Sequence, residues 1–190
     1  MQPQHHISVK EYLEIDRKAD GTQDGVKKYE YHAGEIYAMA GASWAHVVIT
    51  DNVTAALRSR LNVDRCRTAT AEMRVQVGKD YTYPDVVVVC GDPELTDERP
   101  PSLQNPQLIV EVLSESTAIR DKGWKMHAYL QIPSVREYWI LEQTERLVLQ
   151  YHRVADEWGL RIFSGKDEVL RSQHLSLDIP IKEFYLGLNL

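Results

Sequence analysis

The stretch QLIVEVLSESTAIRDKGWKMHAY, residues 107–129, contains the pattern from which the fold and a site can be predicted. After Gln107 come the apolar residues LIV, then Glu111 with its carboxylate, and then the apolar residues Val and Leu. A charge inside a buried strand costs free energy unless another group pairs with it. A metal ion, an ammonium group or a strand end that opens into a cleft would each offset that cost. We therefore interpret the stretch as a buried strand that carries an acid, followed by a helix.

A second apolar run, YPDVVVV at residues 83–89, carries an acid at its start. Pro84 has no N–H to donate and belongs at the first position of a strand, so Asp85 lies near a strand end. Successive side chains of a strand alternate between its two faces, so Glu111 points away from its immediate neighbours. If the two strands are adjacent, both carboxylates face the same small volume.

Two carboxylates in one small volume repel each other, and one of them would take up a proton. A divalent cation removes that conflict, and hard oxygen ligands suit Mg²⁺ or Mn²⁺. Lys125 falls on the helix after the Glu111 strand and could fold back over the strand ends. Its ammonium group could then position or deprotonate a nucleophile, or stabilise charge on a phosphate. Taken alone, Lys125 would be a solvent-facing helix residue. A metal-free acid–base pair of the two carboxylates, as in glycosidases, is a further alternative.

The composition is that of a folded globular protein. Of 190 residues, 43% are hydrophobic and 26% charged, which predicts one α/β domain over residues 1–190. No apolar run approaches the roughly 18 residues of a membrane helix, and residues 1–13 lack a secretory pattern, so we expect a cytoplasmic protein without a membrane partner. Cys66 and Cys90 form no C-x-x-C pair, and we expect free thiols in a reducing compartment.

The net charge of −6 argues against a protein that coats nucleic acid over its whole surface. Basic residues are nevertheless concentrated in residues 58–79, where Arg58 and Arg74 are candidates for a phosphate-binding face. The alternative is a solvated helix end and strand surface.

Local patterns predict a β-hairpin at residues 28–39 around Ala33-Gly34 and a second hairpin at residues 136–152. Apolar residues at helical spacing predict a long helix over residues 44–61, capped by Ser43. Strands at 65–70, 72–77 and 84–89 lie between this helix and the Glu111 strand.

The runs YPDVVVV and LIVEVLSEST, the pair Asp121 and Lys125, and the run IPSVREYWIL together resemble the Uma2 family of endonucleases, also known as domain of unknown function 820. The resemblance extends over nearly the whole chain. It implies a restriction-endonuclease-like fold of the PD-(D/E)xK superfamily, with a mixed central β-sheet flanked by helices and extra β-hairpins.

The resemblance also implies roles for individual residues. Asp85 matches the aspartate of the PD element and Glu111 the acid of the E-x-K element, both metal ligands, and the carbonyl of Val112 would be a backbone ligand. Leu113 stands where the motif has lysine, so this chain departs from the simple motif at that position.

Two lysines compete for the place of the missing motif lysine. Lys125 on the following helix fits the family's displaced lysine, and Lys122 lies three residues earlier on much the same face. Asp121 could pair with Lys125 at i, i+4 spacing and orient it.

Two earlier residues match family positions as additional site residues. Glu30 fits an early Tyr-Glu acid, and His46 fits a recurrent histidine at the start of the long helix. Glu30 could instead pair with Lys27 or Lys28 in its hairpin. His46 could instead be a half-buried structural histidine.

These observations favour a metal-dependent DNA endonuclease in which Mg²⁺ (or Mn²⁺) activates water for attack on a phosphodiester. We expect Asp85, Glu111 and Lys125 to be catalytic. Arg58, Arg74 and Lys122 are candidates for contacts with the DNA backbone. We also expect a recessed site in a homodimer. The alternative is a catalytically silent binding or regulatory module with the nuclease fold.

Overall fold

The computed structural model describes residues 6–19, 27–39, 41–115 and 117–190. The strands are β1 (Tyr29–His32), β2 (Glu35–Ala38), β3 (Cys66–Thr70), β4 (Val75–Val77), β5 (Asp80–Thr82), β6 (Val86–Cys90), β7 (Leu108–Val112), β8 (Glu137–Leu141), β9 (Val148–Val154), β10 (Glu157–Phe163), β11 (Val169–Ser172) and β12 (Leu177–Pro180). The helical segments are α1 (Val9–Lys18), α2 (Trp44–Arg58), α3 (Ala118–Arg120), a π-helical turn (Asp121–Lys125), α4 (Met126–Gln131) and a 3-10 helix (Ile181–Tyr185).

A six-stranded sheet with the order β10-β9-β8-β7-β6-β3 forms the centre of the fold. β7 and β8 are parallel and the other neighbours are antiparallel, which confirms the predicted mixed sheet. A parallel pair needs a crossover connection, and α3, the π-helical turn and α4 supply it between β7 and β8. The stretch that follows Glu111 therefore returns across the sheet.

The central sheet is covered on both faces, which explains why β6 and β7 have nearly continuous apolar sequences. On one face, Val110 and Trp139 pack with Ile49 and Leu57 of α2. On the other face, the apolar cluster contains Ile109, Leu113, Tyr129 of α4 and Tyr138. All five residues of β7 are buried. Since Ile109 and Leu113 share their face with residue 111, Glu111 faces the side of the sheet that α4 covers.

A smaller sheet, β2-β1-β5-β4, lies beside α1. The β1–β2 turn has positive φ at both central residues, 50° at Ala33 and 89° at Gly34, as a two-residue hairpin turn of type I′ requires. Ser8 and Glu11 form a capping box at the start of α1. Tyr12 of this helix stacks on Tyr31 of β1 with ring centroids 5.1 Å apart, which fixes β1 against the helix.

The prediction of two free thiols is wrong. Cys66 and Cys90 form a disulfide between β3 and β6. The antiparallel register places the two residues directly opposite each other, which brings together cysteines 24 positions apart in sequence. The cysteines therefore give no support for a reducing compartment. None of the described helices is long and apolar enough to cross a bilayer.

Candidate active site

Two adjacent strands bring the two predicted acids together. β6 and β7 are antiparallel neighbours with Val86 opposite Val110, and continuing that register places Asp85 opposite Glu111. The backbone N–H of Val112 donates to Asp85 Oδ2 at 2.7 Å, which ties the end of one strand to the other. Asp85 is 8% exposed and Glu111 is 3% exposed.

Lys125 lies among three carboxylates. Its Nζ atom is 2.7 Å from Glu111 Oε1, 2.9 Å from Glu30 Oε1 and 3.0 Å from Asp121 Oδ1. All three contacts are ion pairs, and Asp121 Oδ1 accepts no hydrogen bond from the described residues. The lysine side chain is 4% exposed, so the ammonium group is held almost entirely by these acids.

The π-helical turn determines where Lys125 points. Gly123 leaves helical geometry within the turn, with φ −105° and ψ −114°. The segment is therefore a kink at a glycine between two helices, and it changes the direction in which the following side chains point. Tyr138 fixes the turn from the sheet, since its hydroxyl donates to the carbonyl of Asp121 at 3.0 Å. The irregular turn thus directs Lys125 back over the end of β7.

Two tyrosines extend the network around the acids. Tyr129 donates its hydroxyl to Glu111 Oε1 at 2.9 Å, and the backbone N–H of Tyr83 donates to Glu30 Oε1 at 3.1 Å. Sequence analysis did not identify Tyr129. Its position four residues after Lys125, on the same helical face, is the signal that could have found it.

His46, which lies on α2, contacts Asp85 at the start of β6. The hydroxyl of Ser43 accepts the His46 backbone N–H at 3.1 Å, which confirms the predicted cap. His46 Nε2 is 3.2 Å from Asp85 Oδ2. Burial lowers the pKa of His46, but the hydrogen bond and charge of Asp85, with smaller effects from Asp121 and the Val112 carbonyl, outweigh it and raise that pKa overall.

The site contains more carboxylates than cations. Burial is the largest influence on Glu111 and raises its pKa well above the usual value; Lys125 lowers it, and the nearby carboxylates raise it again. Burial lowers the pKa of Lys125, but Glu111 and Glu30 outweigh this, so the lysine stays protonated. One ammonium group therefore does not neutralise the acids around it.

These groups border a cavity of about 530 Å³. The residues that line it include the site residues Glu30, His46, Asp85, Glu111, Asp121 and Lys125, and also Lys27, Lys28, Glu72 and Arg120. Val112 also lines the cavity. The predicted catalytic and additional site residues thus lie around one space, while their roles remain predictions.

The two candidate lysines have different positions and partners in the structure. The structure also shows which lysine pairs with Glu30. Lys122 pairs with Glu142 at 2.7 Å, with its side chain 46% exposed, and does not line the cavity. Lys28 pairs with Glu72 at 2.5 Å. The partner of Glu30 is therefore Lys125, not a lysine of its own hairpin.

The prediction that Arg74 contacts the DNA backbone has to be corrected. It is 2% exposed, and its guanidinium group donates to Asp16 at 2.8 Å and to Ser102 at 2.7 Å. These buried partners occupy the donors that a phosphate would need. Arg58 is exposed and donates to Thr68 Oγ1 at 2.8 Å, so it remains on the surface with Lys122.

Over the described ranges, no three His, Cys, Asp or Glu side chains are arranged so that they could hold a metal ion by themselves. The ammonium group of Lys125 lies among three of the acids, which keeps their oxygens turned toward it.

The fold defines the class of protein. The chain is similar to the crystal structure of a "putative nuclease belonging to DUF820" from Anabaena variabilis, with a TM-score of 0.74 and 18% sequence identity over 94% of this chain and 97% of that one. This likeness, together with the mixed sheet, identifies a restriction-endonuclease-like fold.

Sequence relatives identify the family. Residues 9–181 match Uma2, described as "Putative restriction endonuclease", and the chain belongs to this family. It is 33% identical to "Uncharacterized protein sll1609" from Synechocystis sp. over 85% of this chain and 89% of that protein. It is 30% identical to "Uncharacterized protein slr1290" from the same organism over 96% of this chain and 93% of that protein.

Proposed function

We propose that this protein is a metal-dependent DNA endonuclease that hydrolyses phosphodiester bonds. The observation that carries the proposal is the position of Lys125, which reaches Glu111 from the following helix while Asp85 lies opposite Glu111 on the neighbouring strand. An aspartate, a glutamate and a lysine thus border one cavity in a chain of the Uma2 family. Leu113, at the usual lysine position, is buried in the core, and Lys125 replaces the missing ammonium group.

The residues around the cavity fit a hard divalent cation. Asp85 Oδ1 and Glu111 Oε2 receive no hydrogen bond from the described residues, so each acid keeps an oxygen for a ligand. Asp85, Glu111 and the Val112 carbonyl would hold Mg²⁺ or Mn²⁺. Two carboxylates and one carbonyl are sufficient because Mg²⁺ usually retains several water molecules. The excess of buried carboxylates gives the site a further reason to bind a cation.

Hydrolysis adds water across one P–O bond: the water oxygen bonds to phosphorus, the leaving oxygen departs, and one proton moves from the water to the leaving group through the site. When bound, Mg²⁺ would lower the pKa of a water molecule and neutralise charge on the phosphate. Lys125 would stabilise the attacking water or the charge on the phosphate through its positive charge, since three acids already surround its N–H groups. Glu30 and Asp121 keep its ammonium group charged and fixed between the strands.

His46 acts on Asp85. Its contact with Oδ2 and the Val112 N–H bond occupy the same carboxylate oxygen, which leaves Oδ1 for the ligand. Arg58 and Lys122, both exposed, would contact the DNA backbone from the surface around the site. We further propose a homodimer, to be tested by sedimentation equilibrium.

Cleavage of a supercoiled plasmid tests the proposal, with Mg²⁺ or Mn²⁺ and with EDTA. We expect wild-type nicking only with metal and a loss of about 100-fold or more in Asp85→Asn and in Lys125→Met. Exposed Asp167 and Lys166 provide matched controls, and Asp167→Asn and Lys166→Met should cleave as wild type does. Equal cleavage by all five proteins would refute the proposal and indicate a contaminating nuclease.

Calorimetric titration separates the endonuclease from a catalytically silent module. The endonuclease should bind Mn²⁺ or Mg²⁺, and Asp85→Asn should bind it more weakly. A silent module should show no binding that depends on Asp85. The position of Lys125 favours the endonuclease, since a binding module has no need for a buried ammonium group beside these acids.

A further inference from the structure

A basic depression lies at the end of the central sheet where β8 begins. It encloses about 20 Å³, which is room for one oxygen atom. Its charged lining consists of four arginines and one acid, which are Arg136, Arg153, Arg161, Arg171 and Glu137. Because the whole protein has a net charge of −6, this concentration of positive charge is opposite in sign to the charge of the molecule as a whole.

Strand pairing places several residues of the basic depression on one face of the sheet. His152 of β9 also lines it, and lies opposite Glu137 of β8 on one side and Gly159 of β10 on the other. Gln150, a further lining residue, lies opposite Arg161 of β10. A Cβ atom at Gly159 would lie 2.7 Å from the His152 ring, so the glycine leaves room for this ring. Since side chains directly opposite each other and side chains two residues apart project to the same face, the sheet fixes these groups relative to one another.

Glu137 does not neutralise the arginines around it. It is 2% exposed, and its Oε1 atom accepts the hydroxyl of Ser172 at 2.5 Å. Its Oε2 atom accepts Trp139 Nε1 at 2.8 Å and Gln150 Nε2 at 2.9 Å. All three donors are neutral, and no arginine that the structure describes forms an ion pair with Glu137. The positive charge of the depression is therefore not paired with its own acid.

Three of the arginines are exposed and keep donors for a ligand. Within the described ranges, the side chains of Arg136 and Arg161 form no ion pair and no hydrogen bond. Arg171 Nε lies 3.6 Å from Asp178 Oδ2, and both side chains are mostly exposed, so solvent screens this pair. An anion could therefore approach these arginines without displacing a strong internal partner.

The other lining residues include buried nitrogen atoms that lack an acceptor. Arg153 donates from its terminal nitrogens to the carbonyls of Pro133 and Leu130, but its Nε atom makes no hydrogen bond with the residues that the structure describes. The same is true of His152 Nδ1. A buried N–H group without an acceptor costs free energy, and an oxyanion at this place would supply the acceptor.

The basic depression is separate from the candidate active site. Glu137 lies opposite Leu108, the first residue of β7, and Glu111 is three residues further along that strand, about 10 Å away. The two acids also face opposite sides of the sheet. Trp139 shares the face of Glu137 and packs in the α2 cluster, whereas Glu111 faces α4. A single phosphate in the depression would therefore not contact the acids around Lys125.

We propose that the basic depression binds a phosphate group. Guanidinium groups donate through planar pairs of N–H groups, and the tetrahedral oxygens of phosphate accept from several directions at once. A carboxylate offers only two oxygens in one plane. Gln150 Oε1 lacks a donor within the described part of the chain, and the O–H group of hydrogen phosphate would supply one. The inference does not depend on the proposed function, because it requires neither a metal ion nor the acids of the candidate active site.

Calorimetric titration of the full chain with sodium phosphate, in EDTA and at constant ionic strength, tests the inference. Without metal the acids of the candidate active site repel phosphate, so the heat reports binding at the arginines. We expect saturable binding by the wild type, and an affinity about 10-fold lower or less in Arg136→Gln and in Arg161→Gln, because each loses charge-assisted hydrogen bonds. Arg67→Gln changes an exposed arginine on β3, at the other edge of the sheet, and should bind as the wild type does. Acetate should bind more weakly than phosphate.

Fluorescence anisotropy with a labelled single-stranded oligodeoxynucleotide, in the same buffer, distinguishes free phosphate from the phosphates of a polynucleotide. If Arg161→Gln weakens phosphate binding and leaves the oligonucleotide affinity unchanged, free phosphate is the ligand. If Arg161→Gln weakens both, and phosphate displaces the oligonucleotide from the wild type, the depression takes phosphates of a polynucleotide. Either result supports the inference.

Three results would overturn the inference. The first is a wild type that shows no saturable phosphate binding. The second is an affinity in Arg136→Gln and Arg161→Gln equal to that of the wild type. The third is an equal loss in these variants and in Arg67→Gln, which would indicate attraction to the overall charge and not to this depression. Urea denaturation checks that each variant is folded, and plasmid cleavage tests the proposed function separately.

Discussion

Two buried cations, Arg74 and Lys125, have different surroundings. The guanidinium group of Arg74 donates to Ser102, to Asp16 and to the carbonyl of Pro100 at 2.7–2.8 Å. The ring of Tyr81 lies 5.2 Å from it. Glu98 lies 3.5 Å from the same group as a second, more exposed acid, so each nitrogen has a partner, and Arg74 lines none of the principal cavities. These contacts join α1, the residue that precedes β4 and the loop before β7.

Lys125 has a surplus of acidic neighbours. Three carboxylates lie within 3.0 Å of one ammonium group, Asp85 adds a fourth acid to the site, and all border an open cavity. The comparison teaches that burial of a charge does not by itself mark a functional site. A matched charge in packed surroundings stabilises the fold, whereas excess charge of one sign beside a cavity indicates a place for a ligand.

The largest expected effect is on stability, in the Arg74 region. Arg74→Met should lower the free energy of unfolding by roughly 3–5 kcal/mol, because the carboxylate of Asp16 would stay buried without its cation. Urea denaturation measures this. Arg171, 70% exposed beside Asp178, is the matched control, and Arg171→Met should change stability by less than about 0.5 kcal/mol. Similar small losses in both variants would remove the distinction between the two regions.

In the Lys125 region, removing a charge should affect activity and not stability. Glu111→Gln keeps an acceptor for Tyr129 and relieves crowding among the acids. Its plasmid-nicking rate should fall about 100-fold or more, about 2.7 kcal/mol in the barrier. Its free energy of unfolding should stay within about 1 kcal/mol of wild type. Glu157→Gln on β10 is the exposed control. A stability loss as large as that of Arg74→Met would assign Glu111 a structural role.

Divalent cations should stabilise only the protein with an intact acid pair. At Mg²⁺ concentrations about 100 times the Kd, the free energy of unfolding should rise by about 2.7 kcal/mol in wild type, since the cation binds only the folded state. The increase should persist in Arg171→Met and disappear in Asp85→Asn. Thermal unfolding at several Mg²⁺ concentrations measures it. An equal shift in Asp85→Asn would show that the cation binds elsewhere.

The smallest effect is expected for an exposed ion pair near the site. Lys122→Ala removes the contact with Glu142 and should cost less than about 1 kcal/mol, because the lysine is half-exposed and screened by solvent. The loss should shrink further at 1 M salt. A loss above 2 kcal/mol, measured by urea denaturation, would mean that Lys122 resembles the two buried cations.

Local sequence patterns predicted the elements that depend on neighbouring residues. The Ala33-Gly34 turn and the Ser43 cap each involve residues close together in sequence, and each is confirmed. The strands of Asp85 and Glu111 were also predicted, because long apolar runs with one acid are unusual. Their adjacency was a condition of the prediction, and the β6–β7 register meets it.

Contacts between residues distant in sequence could not be predicted from these local patterns. Arg74 and Asp16 are 58 residues apart, and nothing near Arg74 in sequence indicates that it is buried. Cys66 and Cys90 meet only because β3 and β6 pair in one particular register. In each case the contact depends on how whole elements pack, which residue spacing does not reveal.

The sequence by itself determined the family, the mixed α/β class and the two acids that open and interrupt apolar strands, because composition and periodicity act locally. Only the tertiary structure showed which of Lys122 and Lys125 lies beside the acids, since the irregular turn around Gly123 brings the latter to Glu111. It also brought Glu30 from another sheet to that lysine. The physical reason is that the free energy of a buried charge depends on all the groups packed around it, and these come together only when the chain folds.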